Sequence, residues 1–161
     1  MNTLRTEVAM TEPVSDAFRI DHVAIAVKDL DSALSFYRDV LGMPVGGVER
    51  VEDQVVDVAF VGEEPGRIEL ISPFRADTGV AKFIENRGEG LHHLAVRVKN
   101  IDASLKALQA KGVQLIDTEA RKGAHGTRVA FVHPKAARGV LLELVELPES
   151  DQVPNHTKSP S

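Results

Sequence analysis

Hydrophobic and polar positions alternate across residues 20–27, with Val23, Ile25 and Val27 on one side and His22, Ala24 and Ala26 on the other. That period of two predicts a half-buried strand that presents His22 among small residues. The period then lengthens. Leu34, Tyr37 and Leu41 form a stripe of helical spacing, with Asp31 as its expected cap and Gly42 as its stop. Strands are expected over 44–48, 55–61 and 68–71. The series then returns: a strand around His93, a helix with Asp102 as cap, Leu105 and Leu108 on its stripe and Gly112 at its end, then strands over 113–116, 127–132 and 140–145. Each half reads βαβββ. The linker, 77–89, holds a short helical stretch over 79–86 and leads into the loop Arg87-Gly-Glu-Gly90.

The two halves share residues as well as pattern. Ile20-Asp-His-Val-Ala-Ile-Ala-Val-Lys-Asp-Leu-Asp-Ser-Ala-Leu34 matches Leu91-His-His-Leu-Ala-Val-Arg-Val-Lys-Asn-Ile-Asp-Ala-Ser-Leu105 at an offset of 71, with six identities in fifteen positions. His22 therefore falls on His93, and Val58-Ala-Phe-Val61 recurs as Val129-Ala-Phe-Val132. Arg67-Ile-Glu-Leu70 is answered by Leu141-Leu-Glu-Leu144 after a hairpin three residues longer, which sets Glu69 on Glu143. One His and one Glu per copy can bring two imidazoles and two carboxylates to a pseudo-twofold axis, the composition of a divalent-metal site. A single Glu on a strand ordinarily faces solvent, and a lone His ordinarily serves structure. Recurrence at the same point of both copies argues for a shared site instead. If the two sheets curl and meet edge to edge, the four side chains converge in a cup, with Ala59 and Ala130 keeping its inner face open. His92, matched by Asp21, is expected to point away from His93, and Glu146 to lie solvated near a strand end.

Composition narrows the chemistry. The chain has 161 residues, 43% hydrophobic and 27% charged, which suits one compact domain with a sizeable core or two small modules that share a sheet. A net charge of −5 provides no electrostatic footprint for nucleic acid. Without cysteine, a metal must be held by nitrogen and oxygen. No apolar run reaches the ~18 residues of a membrane span, and residues 1–18 lack a signal-peptide core. The expectation is a cytoplasmic protein whose domain covers 19–147, as modules 19–76 and 90–147, between mobile tails at 1–18 and 148–161.

The tandem βαβββ pattern with a His and a Glu per module resembles the vicinal oxygen chelate superfamily. Within it, Ile20-Asp-His-Val-Ala24, Gly88-Glu-Gly-Leu-His-His-Leu-Ala95, Lys111-Gly-Val-Gln-Leu-Ile-Asp117, Gly123-Ala-His-Gly126 and His133-Pro-Lys135 followed by Gly139-Val-Leu-Leu-Glu-Leu144 closely resemble the methylmalonyl-CoA epimerases. The resemblance implies an α+β fold of tandem βαβββ modules forming a curled mixed sheet cup. It implies metal ligands at His22, Glu69, His93 and Glu143, with Glu143 also acting as a base.

That activity is consistent with the residues. Epimerising an α-carbon beside a thioester means removing a weakly acidic proton and returning one from the other face. A divalent ion chelating the thioester carbonyl and the free carboxylate would stabilise the enolate. Cobalt(II) or manganese(II) suits the mixed N/O set, and zinc is also compatible. The second base is less defined. Some epimerases carry a Glu that an ungapped match places at Val58, so its neighbour Asp57 is the candidate if a bulge shifts the register; Glu52 and Asp53 are weaker ones. Lys122-Gly-Ala-His-Gly126 could close over an acyl-CoA substrate, whose phosphates Lys122, Arg128, Lys135 and Arg138 could meet. A homodimer is expected. The competing readings are a glyoxalase I-like isomerase, a metal-free antibiotic-binding module and an extradiol dioxygenase. The four ligands argue against the binding module, and the second carboxylate against the dioxygenase.

Overall fold

In the computed structural model, which describes residues 19–64 and 66–152, the chain runs β1 (Arg19–Ala26), α1 (Leu30–Leu34), β2 (Glu49–Val51), β3 (Val56–Val61), β4 (Arg67–Pro73), α2 (Gly79–Arg87), β5 (Gly90–Arg97), α3 (Ile101–Ala110), β6 (Arg121–Lys122), β7 (Arg128–Val132) and β8 (Leu142–Glu146). The eight strands form one sheet in the order β2-β3-β4-β1-β5-β8-β7-β6. The two halves of that order are images of each other, with a pseudo-twofold axis between β1 and β5. Those two strands pair antiparallel, whereas β1 with β4 and β5 with β8 pair parallel. The sheet curls until its outer edges meet: the Gln54 amide reaches Lys122 O at 3.4 Å, Arg121 reaches Asp53 O at 3.4 Å, and His125 N–H donates to Glu49 at 2.9 Å. The fold is the expected α+β architecture with a curled mixed sheet. The expected tail at 1–18 lies outside the described residues, as does 153–161; Glu149–Asp151 forms a single 3-10 turn.

Two layers of packing follow from strand alternation. On the convex face, Leu34 of α1 packs with Ala59, Val61 and Leu70, and Ile101 and Leu105 of α3 pack with Val96, Ala130, Val132 and Leu144. On the concave face, Ala24, Ala26, Val56, Val58, Phe60 and Ile71 meet Ile84 of α2. Ala59 and Ala130 thus do not line the cup as expected. They face the helices, where a small side chain lets a helix approach, and Phe60 and Phe131 turn inward. The fully buried Leu70 and Ile101 mark the centres of the helix-packed layers, where truncation to Ala costs about 2–5 kcal/mol.

Local chemistry moves several expected boundaries. The cap of α1 is Asp29, which accepts from Ser32 N–H, and the cap of α3 is Asn100, which accepts from Ala103 N–H. Asp31 and Asp102 sit in the first turns, where they complement the helix dipole. After Leu34 the helix widens into a π-helical run, Ser35–Val40, which breaks the 3.6-residue period and leaves Leu41 53% exposed. Gly42 and Gly112 end the helical segments at φ 70 and 73. The strands expected at 44–48 and 113–116 shrink to single bridges, Val45 with Val61 and Leu115 with Val132. Pro44 lacks an N–H, and Gly46 and Gly47 offer nothing to pack. The sheet edges are β2 and β6 instead.

Candidate metal centre

His22 on β1 and His93 on β5 face each other across the pseudo-twofold axis, with Nε2 atoms 3.4 Å apart. Glu69 on β4 stands one strand from His22, and Glu143 on β8 one strand from His93. The Nε2 of His22 is 3.0 Å from Glu69 and 3.6 Å from Glu143; that of His93 is 2.5 Å from Glu143 and 3.4 Å from Glu69. One donor atom from each of the four lies within 4.8 Å of the other three, and all four residues are buried. Phe60 meets His22 edge-on at 5.3 Å, and Phe131 meets His93 at 5.2 Å, so each module walls its own histidine with an aromatic ring.

Charge inside this buried cup is held by pairing. Burial pushes His22 toward its neutral form, but hydrogen bonds to Asp21, Glu143 and Glu69 outweigh it and raise its pKa to about 11. Burial acts likewise on His93, and Glu143 and Glu69 raise it to about 9. Burial favours the neutral acid at Glu69, but the two histidines lower it to about 2; Glu143 is lowered by the same partners. The cluster can hold a metal ion once its imidazoles give up their Nε2 protons.

Two recesses reach the cluster. One, of about 220 Å³, is lined by His22, Phe60, Glu69, Glu143, Arg67 and His125 among others. The other, of about 560 Å³, borders His93 and His92 beside Phe83, Leu91 and Val140. His125 of the glycine-rich loop sits over Phe60 at 5.3 Å in a left-handed conformation, φ 55.

The four expected ligands are brought together, and Asp57 is not. Pairing of β3 with β4 runs without a shift from Val56 to Val61, so no bulge turns Asp57 inward. Asp57 lies on the convex side with Ala59, where Arg50 grips both its oxygens at 2.8 and 2.9 Å and holds its carboxyl below the usual range. Arg128 is bound to Asp102 at 2.8 Å, and Glu146 is not solvated: it accepts from Ile101 N–H at 2.6 Å, at the start of α3.

Sequence reasoning missed Asp21 and misplaced His92. Asp21 Oδ2 is 2.6 Å from His22 Nδ1, and His92 Nδ1 is 2.9 Å from His93 Nδ1. Burial would raise Asp21, but hydrogen bonds from His22 and Arg97 hold it well below the usual carboxylate range. Burial and the charge of His93 push His92 down to about 4. The signal was in the repeat, since Asp21 and His92 are equivalent positions, each just before a histidine of the cluster.

Residues 21–131 match the family model described as Glyoxalase/Bleomycin resistance protein/Dioxygenase superfamily. The mitochondrial methylmalonyl-CoA epimerase of Mus musculus is 40% identical over 144 residues, covering 89% of this chain and 81% of its own. The crystal structure of methylmalonyl-CoA epimerase from Mycobacterium tuberculosis is 41% identical with a TM-score of 0.76, covering 81% of this chain and 89% of its own. A variant of the Streptomyces coelicolor methylmalonyl-CoA epimerase in complex with 2-nitronate-propionyl-CoA is 37% identical, also at TM-score 0.76, covering 81% of this chain and 95% of its own.

Proposed function

The chain belongs to the glyoxalase/bleomycin resistance protein/dioxygenase superfamily, and we propose that it epimerises the α-carbon of methylmalonyl-CoA, interconverting the R and S forms. The observation that carries the reading is the convergence of two imidazoles and two ionised carboxylates on one buried cup, in a chain whose relatives are epimerases at about 40% identity. The nitronate ligand of the Streptomyces coelicolor relative is a planar carbanion mimic, as expected of a site that handles a deprotonated α-carbon.

We assign His22, Glu69, His93 and Glu143 as the ligands of a divalent ion. Metal bonds of about 2.0–2.2 Å spread donors up to ~4.4 Å across an ion, close to the 4.8 Å observed. The N/O donor set favours cobalt(II) or manganese(II), with zinc compatible. When bound, such an ion supplies Lewis acidity worth several kcal/mol for charge developing on the thioester oxygen. Glu143, ionised and buried, accepts the α-proton. The other face of the planar carbanion requires a second carrier. With Asp57 turned outward, we assign that role to Glu69, which the pseudo-twofold relates to Glu143. Phe60 and Phe131 keep bulk water from the exposed carbanion. The 220 Å³ recess suits a small acyl head, which leaves the nucleotide of coenzyme A to the rim.

We take the protein as a cytoplasmic homodimer. Among the described residues no helix is long and apolar enough to cross a membrane, and Phe36, Val40 and Leu41 expose apolar surface at the end of the first helix that a second copy could cover.

The test is incubation with one epimer of methylmalonyl-CoA in heavy water. α-Deuterium and inverted product should appear together and disappear on exhaustive chelation. Absence of both with metal supplied would overturn the assignment.

A further inference from the structure

The pairing of β1 with β5 drops a rung twice. Ile20 pairs with Val96 and His22 with Ala95, so Asp21 has no partner; Ala24 pairs with His93 and Ile25 with Leu91, so His92 has none. The two irregularities are the same bulge under the 71-residue repeat. In a regular strand, residues 21 and 92 would face away from residues 22 and 93. A bulge sets two neighbours against one partner residue and re-aims a side chain. The result is Asp21 Oδ2 at 2.6 Å from His22 Nδ1, and His92 Nδ1 at 2.9 Å from His93 Nδ1.

We propose that the paired bulges are positioning devices: Asp21 holds the outer nitrogen of His22 and His92 that of His93, so that both Nε2 atoms are presented to the ion. This rests on the metal-centre reading above.

A neutral imidazole has one N–H and one lone pair. If the lone pair of Nε2 goes to the ion, the hydrogen sits on Nδ1 and needs an acceptor, and without one the ring can flip or change tautomer. Asp21 offers a carboxylate. His92 offers the lone pair of its own Nδ1, which places its hydrogen on Nε2. Both acceptors are themselves anchored. Arg97 Nε donates to Asp21 at 2.6 Å and Arg67 at 3.4 Å, while Glu64 joins the two arginines at 2.9 and 3.0 Å. His92 stands edge-on to Phe83 of α2 at 4.9 Å, so the inter-module helix packs against the residue that orients His93. The two ligands are therefore backed unequally, His22 by an anion and His93 by a neutral ring.

The experiment uses the full chain, stripped with chelator and titrated with cobalt(II) chloride by calorimetry. Zinc-loaded, histidine-labelled protein is followed by long-range proton–nitrogen correlation, which reports the nitrogen that carries the hydrogen. Wild type should show Nδ1–H at both His22 and His93. Asp21→Leu and His92→Phe, which remove the acceptor, should weaken cobalt binding by ~10–100-fold. Asp21→Asn and His92→Asn, which keep an acceptor oxygen, should recover most of that loss, and thermal unfolding checks that each variant folds. If Asp21→Leu fails to fold, the comparison of His92→Phe with His92→Asn decides. Wild-type affinity in the Leu and Phe variants, or Asn variants no better than they are, overturns the inference while leaving the metal centre intact. Failure of wild type itself to take up cobalt overturns the metal reading, and the inference with it.

Discussion

Metal loading should release protons, and the cluster sets how many. Take the chelator-stripped protein at pH 7.5 and add cobalt(II). Ion pairing raises His22 to about 11 and His93 to about 9, so both imidazoles begin protonated, whereas Glu69 at about 2 and the lowered Glu143 begin ionised. Coordination requires a free Nε2 lone pair on each ring, so each histidine loses one proton and keeps its Nδ1–H. Loading therefore expels about two protons, and the apparent affinity rises about 100-fold, or about 2.7 kcal/mol, per pH unit near neutrality. Between pH 9 and 11 the count should fall to about one. Calorimetry in buffers of different ionisation enthalpy measures the count directly, because the apparent enthalpy varies with buffer enthalpy with a slope equal to the protons released. A slope near zero at pH 7.5 would refute the reasoning, since it would mean that the histidines are neutral before the ion arrives.

The same pairs govern the stability of the stripped protein. The raised histidines stabilise fully below their ordinary pKa of 6.5, and that contribution is lost as pH rises through about 9 and then about 11; the lowered carboxylates stabilise above 4.5 and lose their contribution as pH falls through about 2. Thermal unfolding of stripped protein should thus peak between pH 4.5 and 6.5, and a flat profile from 6.5 to 10 would contradict the pairing. His22→Ala or His93→Ala should abolish ion uptake and nearly all turnover while circular dichroism stays native; full activity in either removes them as ligands. Glu143→Gln should slow proton removal from one epimer by ~10²–10⁴-fold, and Glu69→Gln should let deuterium exchange at that epimer outrun inversion. Inversion and exchange falling together in Glu69→Gln would remove its role as second carrier. Asp57→Asn should leave turnover within about threefold and cost at most about 1 kcal/mol, as for an exposed pair; a loss of tenfold or more in turnover would put the residue back in the reaction.

The repeat alone determined a great deal. A strand's period of two and a helix's longer period are local properties, so the βαβββ succession was legible, and the match of His22 with His93 at an offset of 71, and of Glu69 with Glu143 after the longer hairpin, pointed to a site that one module begins and the other completes. What only the tertiary structure decided were features that depend on a distant partner. Whether β1 drops a rung at Asp21 is settled by its pairing with β5, not by the residues around Asp21, and the alternation rule that dismissed His92 assumes that no rung is missing. The orientation of Asp57 likewise depends on the unbroken register of β3 with β4 and on Arg50 across the β2–β3 pair. Phe60 and Ala59 are both apolar, so hydrophobicity could not say which turned inward; register did, by setting Phe60 beside Glu69 and Phe131 beside Glu143. Residue type and period are written along the chain, whereas the face a residue presents is fixed only when two strands far apart in sequence choose their register.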